Sequence, residues 1–377
     1  MIPLAISGWS VLSSAGMGRD CLVDTLKRDC TGEPDRGRDV QALYPEALPS
    51  ATAHAIVDFD VRQILGRKGT SFLDRRSALA MVACGQALED SGTRVDDSNR
   101  HRIGIVLGTT LGSLKSMNDY TRETLVEERP YLVNPVFFPN TVMNCAAGQA
   151  AIRYKLKGVN ATLAGGELAF LNVLRYSANL LRCSYADVLL MGAVEEFTPH
   201  AAWATHLGKS GGADLPAGEG AAVFVTHLNG DAKPDRNLDG EILSVITAFA
   251  PSTGGQAGMA RAIERCIRRA LAEAHISAQD ITFIATSETG SENEDWPEKQ
   301  ALASVFGSDT KHRIAVKKLL GECQAATGAL QLAALLTLHH DNSDLNGRIS
   351  LVCSWMPDGG VGAAVLRGRR RGGSDHR

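Results

Sequence analysis

The strongest constraint on the fold is an alternation of short apolar runs, rich in Val, Ile and Ala, with longer segments whose apolar residues recur at helical spacing. Short continuous apolar runs are typical of strands that helices cover on both faces. The alternation therefore predicts an α/β fold. The predicted strands cover 4–7, 103–108, 161–163, 188–193, 221–225, 242–249, 281–285, 314–316, 349–353 and 362–366, and the predicted helices cover 77–90, 141–154, 168–181, 258–274, 297–305 and 326–339.

Two parts of the chain end on similar apolar strands. Gly220-Ala-Ala-Val-Phe-Val closes the first part and Gly362-Ala-Ala-Val-Leu closes the second. Between them, 208–238 is the stretch richest in turn-forming residues. We predict two similar halves packed as one duplicated unit, because each half carries its own strand and helix alternation. The predicted divisions are 1–228, 229–368 and a basic flexible tail at 369–377.

Composition excludes several classes of protein. The 377 residues, 44% of them hydrophobic, are enough to bury a large core, so the chain is not disordered. The 39 Lys and Arg residues nearly balance 42 Asp and Glu residues, so no basic field for nucleic acid is expected. Eight Cys without a CxxC pair argue against a zinc site and for reduced thiols in a cytoplasmic protein. The amino-terminal stretch resembles neither a signal peptide nor a membrane span, so we expect no membrane partner.

Several motifs carry a resemblance to a known family. They include Leu88-Glu-Asp-Ser-Gly92, Ile105-Val-Leu-Gly-Thr-Thr, Asn134-Pro-Val-Phe-Phe-Pro-Asn-Thr and Ala186-Asp-Val-Leu-Leu-Met-Gly-Ala-Val-Glu195. In order and spacing they resemble the β-ketoacyl-acyl carrier protein synthase family. The resemblance implies a thiolase-like fold, a duplicated αβαβα arrangement in five layers, and an obligate dimer.

The resemblance also marks positions where family members carry catalytic groups: a Cys at a strand-to-helix elbow, two His, and a Lys that supports the second His. A lowered pKa makes such a thiol nucleophilic. Here Glu167 stands at the Cys position, Ser287 and Glu322 stand at the His positions, and Lys317 is retained. The resemblance therefore implies a degenerate site without catalytic residues, metal or cofactor.

The carboxylates at this site allow more than one interpretation. In the structural one, Glu167 and Glu322 surround Lys317 as a closed ionic cluster, with Glu167 at the favourable end of a helix. In another, one acid exchanges protons in a stand-alone enzyme, such as a malonyl-carrier-protein decarboxylase. A ketoacyl synthase with non-standard residues is a further alternative. Cys323, beside Glu322, is expected to be a buried inert thiol rather than a substitute nucleophile.

In lacking a Cys at the elbow, the chain resembles one subgroup of the family, the chain length factor of type II polyketide systems. The resemblance implies a heterodimer with an active ketosynthase, access to an acyl carrier protein through that complex, and a role in setting chain length. The pathways consistent with the resemblance are polyene-forming, highly reducing or similar to fatty-acid synthesis. A purely stabilising scaffold subunit remains an alternative.

The resemblance to family dimers implies that a helix after the strand ending at Gly108 reaches across the dimer interface and caps the partner's acyl tunnel. In this chain the side chains at helical spacing there are candidates for the tunnel wall. They are Leu111, Leu114, Met117 and Thr121, with Phe137 and Phe138 as further candidates. The alternative is that these residues are ordinary interface core.

Overall fold

The computed structural model describes residues 2–29, 37–208, 215–229, 238–307 and 311–371. The strands are β1 (Leu4–Ser13), β2 (Gly16–Met17), β3 (Arg38–Asp39), β4 (Thr52–Ala53), β5 (Ile103–Thr109), β6 (Asn160–Ala164), β7 (Val188–Glu195), β8 (Gly220–Leu228), β9 (Gly240–Phe249), β10 (Ile281–Thr286), β11 (His312–Ala315), β12 (Ile349–Trp355) and β13 (Gly360–Gly368). The α-helices are α1 (Arg19–Asp29), α2 (Val61–Leu65), α3 (Arg75–Asp90), α4 (Leu114–Val126), α5 (Cys145–Tyr154), α6 (Ala169–Arg182), α7 (Pro199–Leu207), α8 (Gly255–Ala274), α9 (Glu292–Phe306), α10 (Val316–Leu320) and α11 (Thr327–Asp341).

The strand order repeats itself. Five strands of the first part lie in the order β6-β5-β7-β8-β1, and five of the second lie in the order β11-β10-β12-β13-β9. Counted along the chain, the second strand of each set (β5 or β10) pairs in parallel with the third (β6 or β11) and the fourth (β7 or β12). The fifth strand (β8 or β13) pairs antiparallel with the fourth and with the first (β1 or β9). A short pairing of β1 with β9 joins the sets into one sheet. The same pairing pattern in both sets is the signature of a duplication.

Helices cover these strands in layers. α3 and α5 pack on the outer face of the first strand set, and α8 packs on the outer face of the second. α6 and α11 lie between the sets, and α6 contacts β5, β7 and β9. β5 is buried along its whole length, as expected for a strand covered on both faces. The predicted α/β, thiolase-like αβαβα fold is confirmed.

The limits of the two halves remain a proposal. We place the boundary after residue 228, because β8 ends at Leu228 and β9 begins at Gly240. Residues 209–214 and 230–237 of the predicted turn-rich stretch lie outside the described residues.

The predicted tail needs a correction at its start. Arg369 pairs with Glu241 at 2.7 Å, and Arg371 pairs with Asp90 and Asp239 at 2.6 Å each. Glu241 and Asp239 are buried and need counter-charges, so Arg369 and Arg371 hold this stretch against the body of the protein, while Arg370 is exposed. Residues 372–377 lie outside the described part of the chain.

One helix begins earlier than the sequence predicts. Pro297 is favourable at a helix start, yet α9 begins at Glu292 and contains Pro297. Ser291 caps this helix by accepting a hydrogen bond from the Glu294 N–H. Pro297 lacks the N–H that would bond the Asn293 carbonyl. The Gln256 side chain donates to that carbonyl at 3.0 Å instead, so the carbonyl keeps a partner.

Candidate functional site

Glu167 lies in a tight turn between a strand and a helix. β6 ends at Ala164, a single 3₁₀ turn covers Gly166–Leu168, and α6 follows. Gly166 has a φ of 53°, in the left-handed region, and a Cβ there would lie 3.0 Å from Met356 Cε. Glycine at this position therefore allows the turn that presents Glu167 at the start of α6.

The Glu167 carboxylate is held in an ionic cluster. Its Oε2 lies 2.6 Å from Lys317 Nζ, and Glu322 Oε2 lies 3.0 Å from the same nitrogen. The exposed fractions of the side chains are 16% for Glu167, 5% for Lys317 and 17% for Glu322. Glu322 Oε1 also accepts a hydrogen bond from the Gln324 N–H at 2.8 Å. The predicted cluster of two acids around Lys317 is present.

Burial and shared charge set the protonation of the cluster. Burial raises the pKa of Glu167 to about 7; Lys317 opposes the rise, and Glu322 adds to it. Burial alone would lower the pKa of Lys317, but the two carboxylates outweigh it and hold that pKa above its usual value. Lys317 therefore stays charged, while Glu167 exchanges its proton near neutral pH.

The cluster faces a cavity of about 640 Å³. The structure brings all four predicted positions to its wall, together with residues from several loops and helices. The lining is Glu167, Thr205, Gly208, Leu215, Ala250, Pro251, Gly255, Gln256, Met259, Ser287, Thr289, Glu294, Pro297, Lys317, Glu322, Trp355 and Pro357. None of these described residues is a Cys or a His. No group of three or more His, Cys, Asp or Glu side chains in the described ranges is placed to hold a metal ion.

Ser287 is engaged in structural hydrogen bonds. Its N–H donates to both carboxylate oxygens of Glu298, at 3.2 and 3.1 Å, and its hydroxyl donates to the Cys353 carbonyl at 3.4 Å. Glu298 is fully buried, and this burial raises its pKa to about 8. The Ser287 hydroxyl is directed at a main-chain carbonyl rather than at a base that could activate it as a nucleophile.

Cys323 is a buried thiol, as predicted. Its Sγ donates to the Leu320 carbonyl at 3.3 Å, and burial raises its pKa well above the usual value. It lines a separate cavity of only about 20 Å³ beside Glu322, with room for about one water molecule. A protonated thiol without access to substrate is inert.

The candidate tunnel residues do not surround a single cavity. Leu111 and Leu114 line the small cavity beside Glu322, and Phe137 lines another of about 390 Å³ between α4 and the body of the protein. Met117, Thr121 and Phe138 lie on the exposed surface. In this single chain the six residues therefore form parts of a surface, and their role in a tunnel stays a prediction.

Sequence reasoning missed a pair of buried acids next to the site. Glu195 accepts hydrogen bonds from the Thr110 N–H and the Thr109 hydroxyl, while Glu196 accepts from the Ser113 hydroxyl at 2.8 Å. Burial raises their pKa values to about 7 and about 8. The apolar run before Glu195 predicts a buried strand. Only the folded structure shows that the two acids bind residues 109–113, which lead into α4.

Comparisons with known proteins identify the family of the chain. The model described as "Beta-ketoacyl synthase, N-terminal domain" matches residues 1–210, and the "Beta-ketoacyl synthase, C-terminal domain" model matches residues 240–343. The chain therefore belongs to the β-ketoacyl synthase family. A curated relative, 3-oxoacyl-[acyl-carrier-protein] synthase 2 of Coxiella burnetii, is 25% identical over 320 residues, covering 79% of this chain and 77% of that protein.

Among solved structures, the chain is similar to one titled "The ishigamide ketosynthase/chain length factor". The two share 31% identity with a TM-score of 0.83, covering 97% of this chain and 99% of that one. A β-ketoacyl synthase from Burkholderia phymatum has a TM-score of 0.82 at 20% identity, over 98% of this chain and 100% of that one, and supports the fold alone.

Proposed function

We propose that this chain is a non-catalytic chain length factor that pairs with an active ketosynthase in a type II polyketide or fatty-acid-like pathway. The observation that carries the proposal is the group at the elbow. Glu167 occupies the place of the family's thiol, and its carboxylate lies 2.6 Å from Lys317 Nζ. A carboxylate that took an acyl chain from a thioester would form a labile mixed anhydride, so it cannot replace the thiolate.

An exposed apolar surface supports a partner. We define the α4 surface as Met117, Leu125, Val126, Phe137 and Phe138, whose exposed fractions run from 38% to 80%. α4 itself has no buried residue. Contiguous exposed apolar side chains of this size typically mark a protein interface. The partner that fits is the ketosynthase, whose acyl tunnel this surface would close.

An open sheet edge supports the same partner. β6 is the terminal strand of its set and pairs only with β5 among the described strands. An unpaired edge is a template for pairing with another chain. The 31% identity to the ishigamide ketosynthase/chain length factor supports a partner of this kind, because that protein combines a ketosynthase with a chain length factor. The acyl carrier protein would reach this chain through the complex.

The proposed mechanism is geometric. In the heterodimer, Leu111, Leu114, Met117 and Thr121 would shape the end of the partner's acyl tunnel, with Phe137 and Phe138 beside them. A large side chain at the tunnel end stops elongation by contact with the growing chain, because an overpacked cavity resists one more extension unit. A scaffold subunit would stabilise the ketosynthase without touching the product.

Co-expression with the candidate ketosynthase tests the proposal. We expect the two chains to co-purify as a one-to-one heterodimer, and the complex to release products of defined mass. Comparison with the ketosynthase alone is the control. A monomer of this chain that leaves the activity and products of the ketosynthase unchanged would contradict the proposal.

One observation favours a second candidate, a malonyl-carrier-protein decarboxylase. Glu167, with a pKa of about 7, faces the 640 Å³ cavity and can exchange a proton there. The test is release of carbon dioxide from malonyl carrier protein by the purified chain. Release that disappears in Glu167→Gln would establish this enzyme activity, whereas no release above the protein-free background would exclude it.

A further inference from the structure

α6 is buried except for one polar stripe. Arg175, Tyr176 and Asn179 are exposed and Arg182 is half-buried, while most other side chains of this helix are buried. The spacing of three and four residues places the four on one side of the helix. This side borders β9, where Arg175 bonds Thr247, and its exposed residues are the surface that α6 offers to another molecule.

The stripe forms one wall of a basic cleft of about 200 Å³. The cleft is bounded by α6, β9 and α8, and its charged residues are Arg175, Arg182, Arg269 and Glu273. Three guanidinium groups and one carboxylate leave a net positive charge. Glu273 is committed to Arg269, at 3.3 Å from its Nε.

Arg175 and Arg182 form no ion pair within 4 Å among the described residues, and the carboxylate that acts on Arg182 is the same Glu273. Arg175 Nη1 donates to the Thr247 hydroxyl at 3.0 Å. Arg182 Nε is buried without a hydrogen-bond partner, and burial lowers the pKa of this guanidinium. Three guanidinium groups therefore share the one carboxylate of Glu273, so positive charge in the cleft is left for an incoming anion to neutralise.

The cleft lies beside the partly open edge of β9, and α6, which forms its other wall, also contacts the edge strand β6. β9 pairs with β13 along its length, but its pairing with β1 covers only Gly240–Ile242. Tyr176 and Phe249 are exposed beside the cleft, at 40% and 66%. Arginine with aromatic side chains is the composition of an interface core.

We propose that the cleft of Arg175, Arg182 and Arg269 lies in the interface with the partner subunit, receives a carboxylate side chain of that subunit, and opposes pairing between two copies of this chain. The proposal rests on the proposed function for the identity of the partner. In a two-fold pair of identical chains both sides of the interface would carry the same basic cleft. The two sets of positive charges would then repel each other, whereas a partner with a carboxylate at this place neutralises them.

A charge-reversal mixing experiment tests the proposal with this protein alone. Arg175→Glu/Arg269→Glu alters two exposed side chains, so we expect the variant to fold, which circular dichroism checks. Mixed with the wild-type chain in low salt, it should form a dimer about tenfold tighter than either protein forms with itself, measured by sedimentation velocity. Raising the salt should weaken the mixed pair and strengthen wild-type self-pairing, because salt screens attraction and repulsion alike.

Two further proteins make the result decisive. Arg94→Glu/Arg348→Glu reverses the same charge at exposed positions elsewhere and should not promote mixed pairing. If the reversed cleft variant does not fold, Arg175→Ala/Arg269→Ala should self-pair about tenfold more tightly than wild type. Mixed pairing no tighter than self-pairing, or an equal effect of the control, would overturn the proposal. The ketosynthase is absent from these mixtures, so that result would leave the chain-length role to the co-purification test.

Discussion

The cavity around Glu167 and the α4 surface differ in whether their side chains have partners within the chain. In the cavity, Lys317 holds two carboxylates within 3.0 Å, so the charges that could act on a substrate are bound to one another. On the α4 surface, Leu125 is 80% exposed and Phe138 is 54% exposed. The charged groups of the cluster have partners within the chain, whereas the apolar side chains of the α4 surface are exposed. This difference is what the proposed function requires, because in that proposal a partner covers the α4 surface.

Removing the cation should have the largest effect, because it breaks the closed cluster. Lys317→Met leaves Glu167 and Glu322 buried without a counter-charge. We expect a loss of about 3–5 kcal/mol in the free energy of unfolding at pH 8. The loss should be smaller at pH 6, because the pKa of Glu167 is about 7 with Lys317 present and rises further without it, so that Glu167 is protonated there.

Urea unfolding followed by circular dichroism measures both values. The matched control is Lys318→Met, which changes the neighbouring exposed lysine and should alter stability by less than about 0.5 kcal/mol. Equal small losses in the two variants would mean that the cluster does not stabilise the fold.

A neutral side chain at the elbow should stabilise the protein in a pH-dependent way. The pKa of Glu167 is raised from 4.5 to about 7, so the folded state binds the proton more tightly than the unfolded state. Stability therefore falls as pH rises from about 4.5 to about 7, and the full cost of ionising Glu167 remains above that range. Glu167→Gln removes this cost and should gain about 1–3 kcal/mol at pH 8, with little gain at pH 5.

Thermal or urea unfolding of this variant at the two pH values checks the sign. Glu89→Gln, at an exposed position of α3, serves as the control for loss of one negative charge. A gain of the same size at pH 5 and pH 8 would show that Glu167 is not the group that titrates.

Shortening side chains on α4 tests the other half of the comparison. If Leu114 and Met117 help to close the tunnel of the partner, Leu114→Ala or Met117→Ala should lengthen the product by about one extension unit, since the removed atoms leave space. Mass spectrometry of products from the reconstituted complex measures the shift. Arg122→Ala, exposed on the same helix, should leave the product mass unchanged. Unaltered products in all three variants would favour the scaffold alternative.

Periodicity and motif counting predict much of the fold and one part of the site. Alternating runs locate the strands of both sets, since buried strands have a strong apolar signal. Counting from motifs places Glu167, Lys317 and Glu322 at one site, and the structure brings them within ion-pair distance. This works because the order of family motifs carries three-dimensional information that single residues lack.

Other features depend on contacts between distant segments and leave no local signal. Pro297 is accommodated inside α9 because Gln256, from another helix, bonds the Asn293 carbonyl that Pro297 cannot. The fixed position of Arg371 depends on Asp90 and Asp239, which only the folded chain brings together. The basic cleft brings together Arg175 of α6 and Arg269 of α8, and no spacing in the sequence predicts that these residues lie close to each other.

The most direct test of the central claim is the condensation rate of the reconstituted complex when Glu167 is replaced. Glu167→Ala removes the carboxylate at the elbow, while replacing the partner's own nucleophilic cysteine by alanine serves as the reference for lost chemistry. We predict that Glu167→Ala keeps the rate within about twofold of the unmodified complex, because this side chain binds Lys317 and forms no acyl intermediate. A fall as deep as that caused by loss of the partner's cysteine would contradict the assignment of this chain as a non-catalytic subunit.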